Sequence, residues 1–283
     1  MQLVTTKSEV IKLSHKVSLT NQVIGFVPTM GNLHEGHLSL IREIKRHSDW
    51  VICSIFINPT QFNSQKDFET YPRTHQQDIE LLKKENIDAI FMPSASDMYG
   101  KNLKLNTKIH VSPLANLLEG ELRPGHFDGV ATIVNKLFNI IKPNVSIFGE
   151  KDYQQLLIIK KMVSDLDLPV QILSLPTKRN TNGLALSSRN NKLSITNLKK
   201  AENIFKVLNS LKTEIVSYNK NDYIALKFEA EELLRKHDII LEELYFRDAE
   251  NLEEISIETN NLVILISCFL ENVRLIDNII FKI

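Results

Sequence analysis

The sequence predicts an α/β fold, namely a Rossmann-like doubly wound parallel sheet followed by a smaller α+β domain. Over the first 176 residues, short apolar runs typical of buried parallel strands alternate with helical patterns. Several of these runs end in polar or glycine-containing turns, which is where ligands bind in open α/β sheets. The rest of the chain has two helical patterns and then three apolar runs typical of antiparallel strands. We therefore expect one domain at residues 1–176 and a second at 177–283.

The elements of the first domain follow from the spacing of apolar residues. Strands are expected at 23–27, 50–57, 88–92, 145–148 and 170–175. Helices are expected at 7–19, from about 36 onward, and at 75–85, 127–141 and 153–165, whereas 93–106 is expected to be a polar loop. In the second domain we expect helices at 196–211 and 222–237 and strands at 239–246, 262–270 and 279–281.

Composition argues against several classes of partner, although it leaves room for a local basic patch. The 34 basic and 34 acidic residues give a formal charge of zero, so the chain has no global footprint for nucleic acid. No apolar stretch reaches the roughly 18 residues that a membrane span needs, and no signal-peptide core is present. Cys53 and Cys268 both lie in apolar runs, which predicts buried free thiols in a reducing compartment.

The stretch from Val27 to Leu40, VPTMGNLHEGHLSL, is expected to be a strand, a turn and a helix start. Unpaired backbone N–H groups and the positive dipole end of a helix attract anions there. His34 and His37 could add hydrogen-bond donors to a phosphate, and glycines in the turn let a ligand approach the backbone. Either histidine alone would more often be a cap or a packed polar residue. The pair favours a phosphate site.

Further polar residues follow other expected strands. Asn58 and Gln61 come after the second strand, although such residues usually start a turn or stay solvated. Gly149, Glu150, Lys151 and Asp152 follow the fourth strand, where Lys151 could neutralise phosphate and Asp152 could contact a ribose or cap the helix. The alternative for these charges is a solvated helix entrance.

Three more positions are open to two interpretations. Ser187, Ser188 and Arg189 lie in a polar, mobile-looking loop that could hold phosphate or could be a linker between domains. Arg123 and His126 could serve a site or be ordinary loop residues. Asp78 is a candidate metal ligand, but a solvated helical aspartate is the favoured interpretation.

The H-x-G-H turn resembles the adenylyltransferase (HIGH-type) superfamily, and a longer set of motifs resembles the pantothenate synthetase family in order and spacing. These motifs are PTMGNLHEGH, SIFINPTQF, YPRT, EGELRPGHFDGV, FGEKDYQQL, GLALSSRN and RLIDN, and they cover both expected domains. The resemblance implies condensation of (R)-pantoate with β-alanine by ATP and Mg²⁺ through a pantoyl-adenylate, with release of AMP and pyrophosphate. It implies a cytoplasmic homodimer whose smaller C-terminal domain is a lid, with no nucleic-acid or membrane partner.

The resemblance also implies roles for individual residues. Gln61 would bind pantoate and β-alanine, and Gln155 would bind pantoate. His37 matches the family's proton donor, although charge stabilisation alone could explain its value. The catalytic set would be His34, His37, Lys151 and Arg189. The ATP site would comprise Met30, Gly31, Asn32, Leu33, His34, Glu35, Gly36, His37, Gly149, Glu150, Lys151, Asp152, Lys178, Leu186, Ser187, Ser188 and Arg189. The magnesium ligands are not identified.

Two residues depart from the family pattern. Lys178 stands where an apolar residue is usual, and a contact from its backbone to adenine should survive this change. Asn182 stands where an acid is frequent, which affects the local hydrogen bonds of the loop. The rival functions are a nucleotidyltransferase that leaves AMP on its product, a non-catalytic nucleotide-binding regulator and, with less support, a tRNA-charging enzyme.

Overall fold

The computed structural model describes residues 1–102 and 106–283, which pack as two compact units. The first unit comprises Met1–Glu150 and Gln154–Pro176, and the second comprises Lys151–Tyr153 and Thr177–Ile283. This division differs from the predicted boundary at residue 176 by the three residues Lys151–Tyr153. The binding and lid roles given to the two domains stay predictions.

The first unit is built on a six-stranded, wholly parallel sheet with the strand order β1-β4-β3-β2-β5-β6. Its strands are β1 (Gln2–Val4), β2 (Ile24–Thr29), β3 (Trp50–Ile55), β4 (Ala89–Phe91), β5 (Val145–Gly149) and β6 (Gln171–Leu175). The predicted parallel sheet is confirmed. Strand order reverses between β2 and β5, so this is the topological switch point where such sheets bind ligands.

Eight helices accompany this sheet in the described residues. They are α1 (Lys7–Ser18), α2 (Glu35–Ile44), α3 (Gln65–Glu69), α4 (His75–Lys84), α5 (Ala95–Tyr99), α6 (Glu119–Leu122), α7 (His126–Ile141) and α8 (Tyr153–Asp165). Short 3₁₀ turns occupy Pro59–Gln61, Leu114–Asn116 and Glu150–Asp152. The long helices bury an apolar face, as their spacing predicted, and α7 is the most extensively buried of them.

Three sequence predictions for this unit were wrong in detail. The N-terminal β1 was not predicted, because three residues are too few for an alternating pattern. The loop predicted at 93–106 contains α5, which Ser94 caps through its hydroxyl. The strand β2 continues through Pro28. Because β5 pairs with β2 only at Gly25 and Phe26, the proline lies beyond that ladder and its missing N–H is tolerated.

The second unit packs two helices on an antiparallel sheet of order β7-β8-β9, as predicted. Its elements are α9 (Ile195–Tyr218), α10 (Tyr223–Arg235), β7 (Ile239–Asp248), β8 (Asn261–Leu270) and β9 (Val273–Lys282), with a 3₁₀ turn at Ser188–Lys192. The last strand begins six residues before its predicted start, because polar Arg274, Asp277 and Asn278 hide its alternation.

Both cysteines are buried free thiols, as predicted, and burial raises the pKa of each to about 12. Among the described residues, no helix combines the length and the apolarity required to cross a bilayer.

Candidate active site

The turn between β2 and α2 carries the two histidines and lies at the switch point of the sheet. Gly31 has a φ of +80°, and a Cβ there would come within 3.0 Å of both Asp78 Oδ2 and Ile55 Cγ2. Glycine is therefore required by both backbone conformation and space. Asn32 follows at a φ of +50° and is buried, as is Leu33, which packs into the core.

Asp78 holds this turn from the neighbouring helix α4. Its Oδ2 accepts the Asn32 N–H at 3.0 Å and its Oδ1 accepts the Leu33 N–H at 2.8 Å. The Thr74 hydroxyl adds a third hydrogen bond at 3.1 Å. Because Asp78 is only 1% exposed, the interpretation as a solvated aspartate is wrong. Its oxygens are used by the turn, so the carboxylate is a structural clamp.

Hydrogen bonds to the two histidines determine which ring nitrogen carries the proton. The Gly36 N–H donates to His34 Nδ1 at 3.1 Å, and the His34 N–H donates to His37 Nδ1 at 3.3 Å. A nitrogen that accepts a backbone N–H carries no proton, so each neutral ring has its N–H at Nε2. The two rings lie 4.1 Å apart and form a paired donor set at the start of α2.

The other predicted residues of this turn have distinct surroundings. The Glu35 carboxylate is exposed and pairs with Arg42, which also binds Glu85 at 2.5 Å. This pairing offsets a negative charge that would otherwise oppose phosphate. Met30 is half-buried, and its Sδ lies 3.2 Å from Gln61 Nε2. The thioether therefore joins the predicted nucleotide turn to the predicted acid-binding glutamine.

Gln61 is 8% exposed and lies at the end of the 3₁₀ turn that follows β3. Its Oε1 accepts a hydrogen bond from Asn58 Nδ2 at 3.0 Å. Its backbone carbonyl accepts from His126 Nδ1 at 2.7 Å, and Arg123 contacts His126 Nε2 at 3.2 Å. His126 and Arg123 are thus supports of Gln61, which answers the question that the sequence left open.

Helix α7 approaches this 3₁₀ turn through Gly129. A Cβ at Gly129 would lie 2.5 Å from the Thr60 carbonyl oxygen and 2.8 Å from Gln61 Cα. These distances are shorter than real contacts allow, so the backbone of the turn rests directly on the helix. The Gly129 carbonyl also accepts from Asn58 Nδ2 at 3.0 Å.

The adjacent glutamines of α8 have different environments. Gln154 is buried, and its amide bonds to the backbone of Leu114, Leu117 and Glu119 at 2.7–3.2 Å. Gln155 is half-buried, and among the described residues no hydrogen bond to its amide is found. Gln154 is therefore structural, and the substrate-binding role of Gln155 stays a prediction from the family resemblance.

At the end of β5, a Cβ added to Gly149 would contact nothing within 4 Å among the described residues. Within the described residues, the position that a side chain would take at Gly149 is therefore open space. The next residue, Glu150, accepts a hydrogen bond from the Ser174 hydroxyl at 2.9 Å.

Lys151 and Asp152 belong to the second unit. The Lys151 ammonium lies 3.5 Å from the Asp152 carboxylate, and the Lys151 carbonyl accepts from Asn278 Nδ2 at 2.9 Å. Tyr153 donates to the Ala249 carbonyl at 2.7 Å. The short segment is therefore tied to β9 and to the end of β7.

The loop expected to be mobile is a hydrogen-bonded hairpin. Arg179 and Ala185 form an antiparallel bridge, and the Leu186 N–H donates to the Lys178 carbonyl at 2.9 Å. Arg179 pairs with buried Asp277 through two contacts of 2.6 and 2.8 Å and lies over the Phe205 ring at 3.6 Å. Burial raises the pKa of the Asp277 carboxyl, although the Arg179 guanidinium opposes this shift.

The residues predicted to bind phosphate at the end of this hairpin are ordered by local hydrogen bonds. The Ser187 hydroxyl accepts the Arg189 N–H at 3.2 Å, and Ser188 begins the 3₁₀ turn. The Arg189 guanidinium donates to the Arg274 carbonyl at 3.0 Å. Arg189 is thus held by the same strand, β9, that binds the Lys151 carbonyl.

Of the two family departures, Asn182 has a local explanation. Its Nδ2 donates to Glu202 Oε1 at 2.8 Å, and its N–H donates to Asn180 Oδ1 at 3.0 Å. An acid at this position would face Glu202 with like charge. Lys178 is exposed and takes part in the hairpin through its backbone.

No cluster of three or more His, Cys, Asp or Glu side chains suited to a metal ion occurs among residues 1–102 and 106–283.

Sequence reasoning missed the clamp role of Asp78 and the role of Tyr99, which bonds to Asn58 at 2.6 Å. The H-x-G-H motif could not reveal either residue, because Asp78 and Tyr99 both lie on other elements.

Comparison with known proteins gives a consistent result. A family model described as pantoate-beta-alanine ligase matches residues 2–280. A pantothenate synthetase from Aliivibrio fischeri is 44% identical over 278 residues, covering 97% of this chain and 95% of that protein. One from Psychromonas ingrahamii is 46% identical over 255 residues, covering 90% and 88%.

Solved structures agree with these relatives. A pantothenate synthetase from Thermus thermophilus superposes with a TM-score of 0.89 at 38% identity and covers 99% of both chains. A pantoate-beta-alanine ligase from Francisella tularensis, in complex with beta-gamma ATP and beta-alanine, gives a TM-score of 0.83 at 37% identity, covering 99% of this chain and 97% of that one.

Proposed function

The chain belongs to the pantoate-β-alanine ligase family, and from this membership we propose that it condenses (R)-pantoate with β-alanine using ATP. It is an acid–amino-acid ligase of pantothenate biosynthesis, the route to coenzyme A. The reaction forms a pantoyl-adenylate with loss of pyrophosphate, and β-alanine then displaces AMP.

The need for an adenylate follows from elementary chemistry. A carboxylate is a poor acyl donor because its leaving group would be an oxide. Attack of the carboxylate on the α-phosphorus makes that oxygen part of AMP, which leaves easily. Charge spreads over the phosphate oxygens in the transition state, so the protein must supply hydrogen-bond donors and cations at fixed positions.

In the first unit, His34 and His37 are proposed to donate their Nε2–H groups to phosphate, together with the amides at the start of α2. A neutral imidazole whose only proton is at Nε2 is suited to donate a hydrogen bond rather than to transfer that proton. The proton-donor role of His37 is therefore less well supported than phosphate contact. Gln61 and Gln155 bind pantoate, and Gln61 also contacts β-alanine.

The observation that carries this assignment is the Met30–Gln61 contact of 3.2 Å. It joins the histidine turn to a buried amide suited to a small polar acid. A nucleotide site alone would not require such an amide beside the turn.

In the second unit, Lys151 and Arg189 are proposed to contact the phosphates. The full ATP-binding set remains the one implied by the family resemblance, with Gly149 to Asp152, Leu186 to Arg189 and the Lys178 backbone. We propose that the hairpin carrying Lys178 to Arg189 orders further on nucleotide binding and excludes water, because an adenylate hydrolyses readily.

Mg²⁺ is proposed to be held mainly by the ATP phosphates. Mg²⁺ keeps several waters and commonly uses substrate phosphates with only one or two carboxylates, which fits a chain without a three-residue cluster among its described side chains. Asp78 is not proposed as a ligand because its oxygens hold the turn. When bound, the ion would neutralise phosphate charge.

The test is pyrophosphate release after ATP and pantoate are mixed, before and after β-alanine is added. We expect about one pyrophosphate per site without β-alanine, and continuous turnover with AMP and an amide product when it is present. A nucleotidyltransferase would yield an adenylylated final product, and a regulator would consume no ATP in response to pantoate. We also propose that the protein is cytoplasmic and forms a homodimer. Light scattering of the purified protein would test the homodimer.

A further inference from the structure

Gln61 lies at the end of a hydrogen-bonded chain whose direction is set by backbone groups. We define the amide chain as Tyr99, Asn58 and Gln61. The Tyr99 hydroxyl lies 2.6 Å from Asn58 Oδ1, and Asn58 Nδ2 lies 3.0 Å from Gln61 Oε1. All three side chains belong to the first unit, and all three are buried.

Two main-chain groups determine how the Asn58 amide is oriented. The Thr60 N–H, which can only donate, faces Oδ1 at 3.4 Å. The Gly129 carbonyl, which can only accept, faces Nδ2 at 3.0 Å. Reversing the amide would place donor against donor and acceptor against acceptor. Asn58 therefore has one orientation, in which it offers a donor to Gln61.

The same reasoning fixes Gln61. The atom of its amide that faces Asn58 Nδ2 must be the acceptor, Oε1. The amide nitrogen then points the other way, where its protein contact is the Met30 thioether at 3.2 Å. Thioether sulfur is a weak acceptor, so an oxygen of a substrate would be a stronger partner for this N–H₂ group.

Tyr99 makes the shortest hydrogen bond in the amide chain. Burial raises the pKa of Tyr99 to about 12, so the phenol keeps its proton and remains a donor at neutral pH. The Thr60 hydroxyl also donates to Asn58 Oδ1, at 2.9 Å. Loss of the phenol would therefore loosen the Asn58 amide without reversing it.

We propose that Tyr99 is a positioning residue for the acid substrate, because its hydroxyl steadies Asn58, which in turn holds Gln61 with its amide N–H donors, and no acceptor, toward pantoate. This rests on the proposed function, in which Gln61 binds that acid. An ionised carboxylate only accepts hydrogen bonds, so a donor-only Gln61 suits an anionic acid and disfavours ligands that offer a donor at this point.

The experiment measures single-turnover pyrophosphate release with saturating ATP, no β-alanine and increasing pantoate. We expect Tyr99→Phe to weaken the apparent affinity for pantoate about tenfold. The KM for ATP should change less than about twofold, and the melting temperature should change little. Tyr223→Phe, which removes a hydroxyl in the second unit, is the matched control and should behave as wild type.

Gln61 variants test the direction of the amide. In Gln61→Glu one oxygen would still accept from Asn58 and the other would face the acid with like charge. We expect Gln61→Glu to weaken pantoate binding at least about tenfold more than Gln61→Ala. Equal losses in the two variants would contradict the donor-only assignment.

The outcomes separate this inference from the function on which it rests. If Gln61→Ala leaves pantoate affinity unchanged, the proposed acid site itself is wrong. If Gln61→Ala weakens that affinity but Tyr99→Phe does not, or lowers only the melting temperature, the positioning role of Tyr99 is overturned while the proposed function stands.

Discussion

Replacing the carboxylate that clamps the histidine turn offers the most direct test of how that turn is held. In Asp78→Asn, one of two oxygens becomes an N–H₂ group. The native oxygens accept separate N–H groups, from Asn32 at 3.0 Å and Leu33 at 2.8 Å. No orientation of the new amide can satisfy both, so one buried N–H always faces a donor.

The magnitude follows from those two contacts. Hydrogen bonds to charged groups contribute about 1.5–3 kcal/mol each, so the lost bond should lower the free energy of unfolding by about 2–3 kcal/mol. Because the same turn positions His34 and His37, misplacement on the order of 1 Å would slow adenylate formation by roughly tenfold to a hundredfold. Urea unfolding and single-turnover pyrophosphate release measure the two effects.

A matched control lies at the opposite end of the same sheet. Asp88 Oδ2 accepts the Val51 N–H at 2.7 Å, near the start of β3 and away from the carboxyl ends of the strands. Asp88→Ala, which removes this acceptor altogether, should lose stability with little change in pyrophosphate release. If Asp78→Asn loses stability but keeps the wild-type rate, as its control does, the clamp has no role in positioning the histidines.

Three further predictions follow from the site. His37→Ala and Lys151→Ala should each slow adenylate formation by about 10²–10³-fold with little change in melting temperature, and His37→Gln, which keeps a donor, should recover part of the loss if the ring only donates a hydrogen bond. Arg179→Met should cost about 3–5 kcal/mol of stability at pH 8 by leaving Asp277 buried without its cation. Because the Arg179 guanidinium lowers the pKa of the buried Asp277 carboxyl, its removal should raise that pKa further, and the folded variant then binds the proton more tightly than the folded wild type does. The deficit should therefore shrink as pH falls from 8 to 5 in urea titrations, and a constant deficit would contradict this. Hydrogen exchange in the hairpin from Lys178 to Arg189 should slow when ATP is added, and unaltered exchange would exclude ordering by nucleotide.

The sequence was sufficient for the parts of the fold that rest on periodic burial. The central strands are short continuous apolar runs bounded by turn residues, whereas α2 and α7 have apolar residues at helical spacing. Short elements such as β1 and α5 were missed, because three to five residues give no period and depend on tertiary partners. The Lys7 N–H, for example, donates to Asp97 Oδ2 across 90 positions of sequence.

The site shows the same limit more sharply. A motif could predict an anion site at His34 and His37, but not which ring nitrogen carries the proton, since that depends on backbone N–H groups of the folded turn. Asp78 looked like an ordinary helical acid because its partners lie 45 and 46 residues away. Local sequence cannot distinguish a buried acceptor of backbone N–H groups from a solvated charge.

The way the chain divides has a practical consequence for anyone who wishes to cut it in two. Severing the polypeptide after Pro176 would leave Lys151–Tyr153 on the larger fragment, while their partners Ala249 and Asn278 went with the smaller. Neither piece would then retain the hydrogen bonds that hold the lysine's main chain. Split versions of this ligase should therefore regain function only by reassociation, however well each half expresses.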